Sequence, residues 1–191
     1  MKFEPEIRKL EREIAAKKVK LARLRGKSAF KAADEVPDYE LHTSGGRPVK
    51  LSKLFGKKRE LILIHNMGVS CPYCTMWADG FNGLLPHLAD RAAFVVESPD
   101  RPATQKKFAA GRKWNFDMVS SLGTTFRKDS GFEGRDGSPQ PGVSVFVKKG
   151  RGKIFRVSSS NFGPGDNYCV TWDLFDLLPG GAGKWMAKFK Y

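Results

Sequence analysis

The sequence has few cysteines, few histidines and no long apolar run. Its 191 residues include three cysteines and three histidines. No stretch approaches the ~18 consecutive apolar residues of a membrane-spanning helix, so we expect no membrane anchor. The N-terminus lacks the apolar core and small-residue cleavage site of a secretory signal, and we therefore expect a cytoplasmic protein. In that reducing compartment, cysteines are more often catalytic or metal-binding than joined in structural disulfides.

Acidic residues are also scarce relative to basic ones. The chain has 34 Lys and Arg residues against 20 Asp and Glu residues, which gives a net charge of +14. A charge of that size attracts polyanions. However, we find no zinc-finger spacing, no aromatic RNA-binding motif and no helix-turn-helix pattern. We therefore do not expect nucleic acid to be the main ligand.

The first part of the chain has the pattern of a basic amphipathic helix over residues 5–25. Pro5 suits a first helical position and Gly26 suits a stop, so we divide the chain into this helix (1–26), a linker (27–35) and one globular domain (36–191). The apolar residues follow a heptad seam that Lys17 interrupts. They are Ile7, Leu10, Ile14, Leu21 and Leu24. Two interpretations stay open: a homodimerisation arm, or a helix docked on its own domain.

The remaining pattern alternates apolar strands with helices. This order predicts an α/β fold with a mixed central sheet flanked by helices, and a C-terminal hairpin. The predicted strands are Glu60–His65, Ala92–Glu97, Val143–Val147 and Lys153–Val157, and the predicted helices begin at Pro72 and Pro102. We expect Gly83 and Pro86 to kink or interrupt the first of these helices.

A C-x-x-C motif, Cys71-Pro72-Tyr73-Cys74, lies between the first apolar strand and the helix that follows it. A helix N-terminus stabilises an anion, so the Cys71 thiolate is favoured there and we predict that it is the nucleophile. Cys74, one helical turn later, is placed to resolve an adduct of Cys71 by closing a disulfide. This spacing predicts a thiol–disulfide oxidoreductase that needs no bound cofactor.

Two other interpretations of the motif remain. A C-x-x-C can be half of a zinc site, which usually needs four ligands. Only Cys169, His65 and His87 are available to complete one, so we expect no metal. The fold can also have been retained as a binding module without turnover.

Several segments resemble thioredoxin-like proteins. Val36-Pro37-Asp38-Tyr39-Glu40-Leu41 and the following strand resemble the opening of peroxiredoxin-type folds. Pro141-Gly142-Val143-Ser144-Val145-Phe146 resembles the thioredoxin segment whose proline is cis and faces the active cysteines. The basic N-terminal helix and the block Trp77-Ala78-Asp79-Gly80-Phe81-Asn82 resemble a bacterial thioredoxin-like family of unassigned function, domain-of-unknown-function family 899. This resemblance covers nearly the whole chain.

The resemblance implies a thioredoxin-like fold, a disulfide or thiol substrate and a cis Pro141 beside Cys71. Pro72, Tyr73, Trp77 and Pro141 are then the expected substrate contacts. C-P-Y-C also matches the glutaredoxin tetrapeptide. A thiol peroxidase is a further alternative, although Ile64 and Gly68 stand where peroxiredoxins carry a proline and a Thr or Ser.

Three other side chains have both a functional and a structural interpretation. His65 ends the first apolar strand, either as a base near Cys71 or as a hydrogen-bonded strand-end histidine. Asp79 is either a proton acceptor or an exposed helix residue. We expect Cys169 to be a small buried apolar residue.

Overall fold

The computed structural model describes residues 3–31, 33–150 and 152–191. Five helices and eight strands cover most of them. The helices are α1 (Glu4–Lys31), α2 (Pro72–Arg91), α3 (Pro102–Arg112), α4 (Phe126–Asp129) and α5 (Val170–Phe175). The strands are β1 (Asp34–Val36), β2 (Glu40–Thr43), β3 (Pro48–Lys50), β4 (Glu60–His65), β5 (Ala93–Ser98), β6 (Asp117–Ser120), β7 (Gly142–Lys149) and β8 (Lys153–Asn161).

All eight strands form one sheet, in the order β1-β8-β7-β4-β5-β6-β2-β3. β4, β5 and β6 run parallel, and α2 and α3 make the crossovers between them. The remaining pairs are antiparallel, including the predicted β7–β8 hairpin. This confirms the predicted mixed sheet flanked by helices. β4 lies near its centre, so the C-x-x-C motif follows an interior strand.

The alternation of side chains along β4 divides the core into two clusters, one on each face of the sheet. Ile62 and Ile64 face the cluster that contains α2 and most of the tryptophans. Leu61 and Leu63 face the second cluster, with Phe126 and other large side chains. Because both faces are covered, the strand is apolar almost throughout, as expected for a central strand.

α1 is longer than predicted. It continues through Gly26 to Lys31, since a helix-interior glycine costs only ~1 kcal/mol and no proline lies between Gly26 and Lys31. Helix and β1 therefore occupy most of the predicted linker. The division into domains stays a prediction. Along α1, the predicted seam faces solvent, and Ile14 is 52% exposed.

Only the C-terminal part of α1 lies against the sheet. Arg25 lines a cavity of about 290 Å³ beside Ser158–Ser160 of β8, and Gly26 and Ala29 lie beside Val145 and Val147 of β7. The side chains of the seam are not covered by this contact. The structure thus leaves most of the apolar stripe without a partner in the same chain.

α2 is continuous through the predicted break. Gly83 and Pro86 both lie inside the helix, which ends at Arg91. The predicted restart before Arg91 was wrong, because one helix spans both residues. Among the described residues, no helix is both long and apolar enough to cross a bilayer.

Candidate active site

Cys71 lies where β4 meets α2. The loop 66–70 follows β4, and Cys71 is the N-cap residue of α2 in extended backbone conformation. Pro72 takes the first helical position, where its missing N–H is not needed and its fixed φ suits the helix. The first-turn N–H groups of α2 therefore point toward the Cys71 side chain.

The Cys71 sulfur is held as a hydrogen-bond acceptor. The backbone N–H of Cys74 donates to Cys71 Sγ at 3.1 Å. The Cys74 thiol hydrogen bond and the backbone N–H groups of Cys74 and Tyr73 lower the pKa of Cys71 to about 7, although burial opposes them. Cys71 is half-buried, so its thiolate is reachable from solvent. The arrangement favours Cys71 as the nucleophile.

Cys74 has the opposite environment. It is only 3% exposed, and its Sγ accepts a weak contact from the Met67 N–H at 3.5 Å. Its pKa is raised because its proton is donated to Cys71, and because burial disfavours a thiolate. Both cysteines are free thiols in the structure. The pair thus combines one acidic, accessible thiol with one protonated, enclosed thiol.

The loop before Cys71 is held by side chains on both sides. Asn66 Oδ1 accepts the Gly68 N–H at 2.8 Å, and the Asn66 amide donates to the Cys74 carbonyl at 3.4 Å. Asp100 accepts the Val69 N–H at 3.0 Å. Gly68 has a φ of +111°, and a Cβ there would lie 3.0 Å from the Asp100 carboxylate oxygens. This position therefore requires glycine.

A buried polar network lies beneath this loop. His65 Nδ1 and Arg127 Nη1 contact the same Glu97 oxygen, Oε2, at 3.0 and 2.8 Å. Ser121 donates to the other Glu97 oxygen, and His65 Nε2 lies 2.9 Å from Ser144 Oγ. The register of β4 and β5 pairs His65 with Glu97, which brings the two together. His65 is therefore a hydrogen-bonded strand-end histidine, with both nitrogens engaged away from Cys71.

Sequence reasoning singled out only His65 of this network, and Arg127 is the missed member with the most hydrogen bonds. It lies in α4, within a segment that has no clear periodicity, and only 4% of the residue's surface is exposed. Its guanidinium donates to the carbonyls of Asn66 at 3.0 Å and Gln140 at 2.8 Å, and to that of Phe132. The signal that could have found it is an arginine close to two aromatic residues, Phe126 and Phe132. Both of these are buried in the structure.

The prediction of a cis Pro141 was wrong. None of the described peptide bonds is cis. The Gln140 N–H donates to Phe132 at 2.9 Å, and the Pro141 carbonyl accepts from Phe162 at 3.0 Å. These bonds carry an extended chain directly into β7, so no bend is required. The antiparallel register pairs His65 with Gly142, so Pro141 precedes β7 at the end of the sheet where Asn66 begins the Cys71 loop.

Tyr73 and Trp77 differ in their exposure to solvent. Trp77 is buried in the core, stacked on Phe162 with ring centroids 5.7 Å apart. Tyr73 is half-buried and stacks on Trp172 at 6.1 Å. Of these two predicted contacts, only Tyr73 has a partly accessible ring beside the cysteines.

The remaining candidates have structural partners. Asp79 pairs with Arg112 and accepts the Trp114 indole N–H at 2.8 Å. Cys169 is buried in the same cluster as Trp172, as predicted for a small apolar residue. Within the described ranges, no cluster of three or more His, Cys, Asp or Glu side chains is arranged to hold a metal ion.

Comparison with known proteins gives one family and a set of relatives. The profile of a family described as bacterial protein of unknown function (DUF899) matches residues 4–190. Chloroplastic peroxiredoxin Q of Sedum lineare is 30% identical over 143 residues, which are 74% of this chain and 76% of the relative. The corresponding protein of Populus jackii is 26% identical over 143 residues, covering 74% of this chain and 66% of the relative.

Solved structures give the same fold. Peroxidoxin BcpB from Mycobacterium tuberculosis has a TM-score of 0.57 and 27% identity, covering 68% of this chain and 84% of its own. The bacterioferritin comigratory protein of Xanthomonas campestris has a TM-score of 0.52 at 22% identity, covering 67% of this chain and 87% of its own. The thioredoxin-like architecture predicted from the sequence is thereby confirmed.

Proposed function

The chain belongs to the bacterial DUF899 family, a part of the thioredoxin/peroxiredoxin superfamily, and we propose that it is a dithiol redox enzyme with Cys71 as nucleophile and Cys74 as resolving thiol. One observation carries the proposal. The Cys74 N–H donates to the Cys71 sulfur at the N-terminus of α2, while the enclosed Cys74 thiol, whose pKa is raised, lies one helical turn away. This is the asymmetry that stepwise thiol chemistry requires.

The first step is attack by the Cys71 thiolate on a disulfide. A bond forms between Cys71 Sγ and one sulfur of the substrate, the substrate S–S bond breaks, and the second sulfur leaves as a thiolate. The Cys74 N–H, which stabilises the Cys71 thiolate beforehand, stays on the Cys71 sulfur in the mixed disulfide.

The second step closes the internal disulfide. Cys74 loses its proton to solvent or to the departing thiolate, attacks Cys71 Sγ and expels the second half of the substrate as a thiol. Reduction by an external dithiol or by two monothiols then restores both cysteines. We propose that Pro72 and Tyr73 contact the substrate beside Cys71, and that Trp77 supports Tyr73 from the core rather than touching the substrate.

A peroxide is the second candidate substrate, favoured by the similarity to the peroxiredoxin Q proteins. The Cys71 thiolate would attack one peroxide oxygen, the O–O bond would break, and the other oxygen would leave as an alcohol or water after taking up a proton. The resulting sulfenic acid reacts with Cys74 to give the same disulfide and water. Against a peroxide stands the motif: this chain has Ile64 and Gly68 at the positions where peroxiredoxins carry a proline and a Thr or Ser.

The test is to treat the reduced protein with either a small disulfide or hydrogen peroxide and to map thiols by peptide mass. The proposal expects loss of two thiols, joined as Cys71–Cys74, and no loss in C71S. C74S should stop at a mixed disulfide or a sulfenic acid, and C169A should behave as the unsubstituted chain. If neither oxidant joins the two cysteines in a disulfide, the protein is instead a binding module without turnover. The faster oxidant identifies the substrate class.

We also propose that the chain forms a homodimer through α1. The seam residues of this helix are about half exposed, and an apolar stripe of this kind gains from burial. Two-fold dimers are the commonest oligomers, and a dimer would cover this face.

A reducing compartment suits the enzyme, because both cysteines must return to thiols after each turnover.

A further inference from the structure

Three segments of the chain meet at Arg127, and two of them flank the dithiol. Asn66 is the first residue after β4 and begins the loop to Cys71. Gln140 is the second residue before β7. The guanidinium donates to the backbone carbonyl of each, while Glu97 holds it from below at 2.8 Å. Arg127 therefore ties the start of the active-site loop to the neighbouring strand connection.

The contact continues from Asn66 to Cys74. The Asn66 side chain donates to the Cys74 carbonyl and accepts from Gly68, so the position of its backbone affects both ends of the loop. The Cys71 hydrogen bond and burial raise the pKa of Cys74, and the positive charge of Arg127 opposes them only weakly. The link from this buried arginine to the resolving thiol is therefore the chain of contacts through Asn66.

Stability alone gives a weak reason for this arrangement. A buried ion pair is often no better for stability than apolar residues of the same volume, because both charges must leave water. Here the arginine satisfies three backbone carbonyls, and one of them, that of Asn66, begins the loop to Cys71. The geometry is that of a group that fixes the orientation of a site.

We propose that Arg127 is a positioning residue for the resolving step: it holds the Asn66 end of the loop in place while Cys74 attacks Cys71. This role rests on the proposed dithiol chemistry. It makes no demand on the first attack, because the groups that stabilise the Cys71 sulfur come from α2 itself.

The test separates the two chemical steps with an aromatic disulfide, dithiodipyridine, in a C169A background. Attack by Cys71 releases a first thiopyridone and leaves Cys71 in a mixed disulfide. Attack by Cys74 on that Cys71 sulfur releases the second. Absorbance followed in a stopped-flow instrument therefore shows one phase for each step, and C74S, which stops after the first, marks where the second begins.

Arg127→Lys keeps the charge but cannot reach all the carbonyls, and E97Q/R127M removes both charges without leaving one unpaired. We expect the first phase to stay within about twofold in both variants. We expect the second phase to slow about tenfold or more in Arg127→Lys, since small misplacements of a reacting group cost that much. In E97Q/R127M we expect at least as large a loss, because none of the guanidinium contacts with the carbonyls remains.

Arg156→Lys is the matched control. Arg156 also donates to a backbone carbonyl, that of Ser130 at 2.7 Å, and pairs with Asp34, away from the cysteines. Both phases should be unchanged in it. A normal second phase in folded Arg127→Lys and E97Q/R127M, whatever their melting temperatures, would overturn the positioning role. Absence of the second phase in the unsubstituted chain would instead overturn the proposed function, and the role of Arg127 with it.

Discussion

At the scale of single residues, Cys71 and Cys74 differ because one accepts the hydrogen bond that the other donates. The pKa of Cys71 falls to about 7, with the Cys74 hydrogen bond as the largest cause. The pKa of Cys74 rises for the same reason and through burial. The acidity of Cys71 is therefore a property of the pair, to which the start of α2 adds backbone N–H groups.

Two substitutions of Cys74 separate these contributions. In C74S a hydroxyl donor remains, so we expect the alkylation rate of Cys71 to rise with pH around a midpoint near 7. In C74A the donor is lost, and the midpoint should move to higher pH because the thiolate is less stabilised. Iodoacetamide labelling of Cys71 over a pH series, read by mass spectrometry, measures both. Identical midpoints would assign the acidity to the helix N-terminus alone.

His65 gives a second prediction, on stability. Burial lowers the pKa of His65 below its ordinary value of 6.5, more than Glu97 raises it. Below pH 6.5 the unfolded chain therefore binds a proton at His65 that the folded chain does not. As the pH is lowered from 6.5, the free energy of unfolding should decrease by up to ~1.4 kcal/mol per pH unit. The contribution of Glu97, whose pKa is lowered despite burial because His65 and Arg127 stabilise the carboxylate, is lost only at more acidic pH.

Urea unfolding at pH 7 and pH 5 tests the role of His65. His65→Gln keeps hydrogen-bonding groups toward Glu97 and Ser144 but does not titrate, so its unfolding free energy should change less between the two pH values. His87→Gln, at an exposed position of α2, is the control and should keep the slope of the unsubstituted chain. An equal slope in all three proteins would contradict the prediction.

Sequence reasoning located the two cysteines but not the residues that support them. The C-x-x-C spacing and the preceding apolar strand are local patterns, and they predicted the α2 N-terminus correctly. Arg127, Glu97 and Asn66 come together only through sheet register and the packing of α4, which no local pattern records. The trans Pro141 was missed for the same reason, because its hydrogen-bond partners lie far away in the chain.

At the scale of elements, α1 is the part whose partner is not fixed by the rest of the chain. Most of its apolar seam is exposed, and only its C-terminal part touches β7 and β8. Its heptad pattern was readable from the sequence. Its true end was not, because a glycine at position 26 permits a stop without requiring one.

Removing residues 1–26 tests the dimerisation arm. We expect light scattering to give about half the mass of the full-length protein, since two-fold dimers are the commonest oligomers. Cys71 should stay reactive, because its contacts come from α2 and the loop before it. Ile14→Glu within the full chain is the milder variant, and Val19→Glu, at an exposed position outside the seam, is its control. A monomeric full-length protein would mean that α1 does not mediate a dimer.

At the scale of the whole molecule, the sequence predicted the layers better than their order. Apolar runs and their spacing indicated a central strand, two crossovers and a hairpin, and the structure has all of these. The short strands near the N-terminus were less clear, because strands of three or four residues carry little pattern. Their places at opposite ends of the sheet depend on contacts with segments far along the chain.

The strand order has a consequence for biosynthesis. β1 pairs with β8, so that Asp34 lies opposite Arg156, and the central strand β4 has β7 as one neighbour. While the ribosome is still making the first two thirds of the chain, β1 and one edge of β4 have no strand to pair with. Distant pairings of this kind slow folding and leave apolar edges uncovered in the meantime. The domain therefore completes its sheet only once the β7–β8 hairpin has emerged from the ribosome.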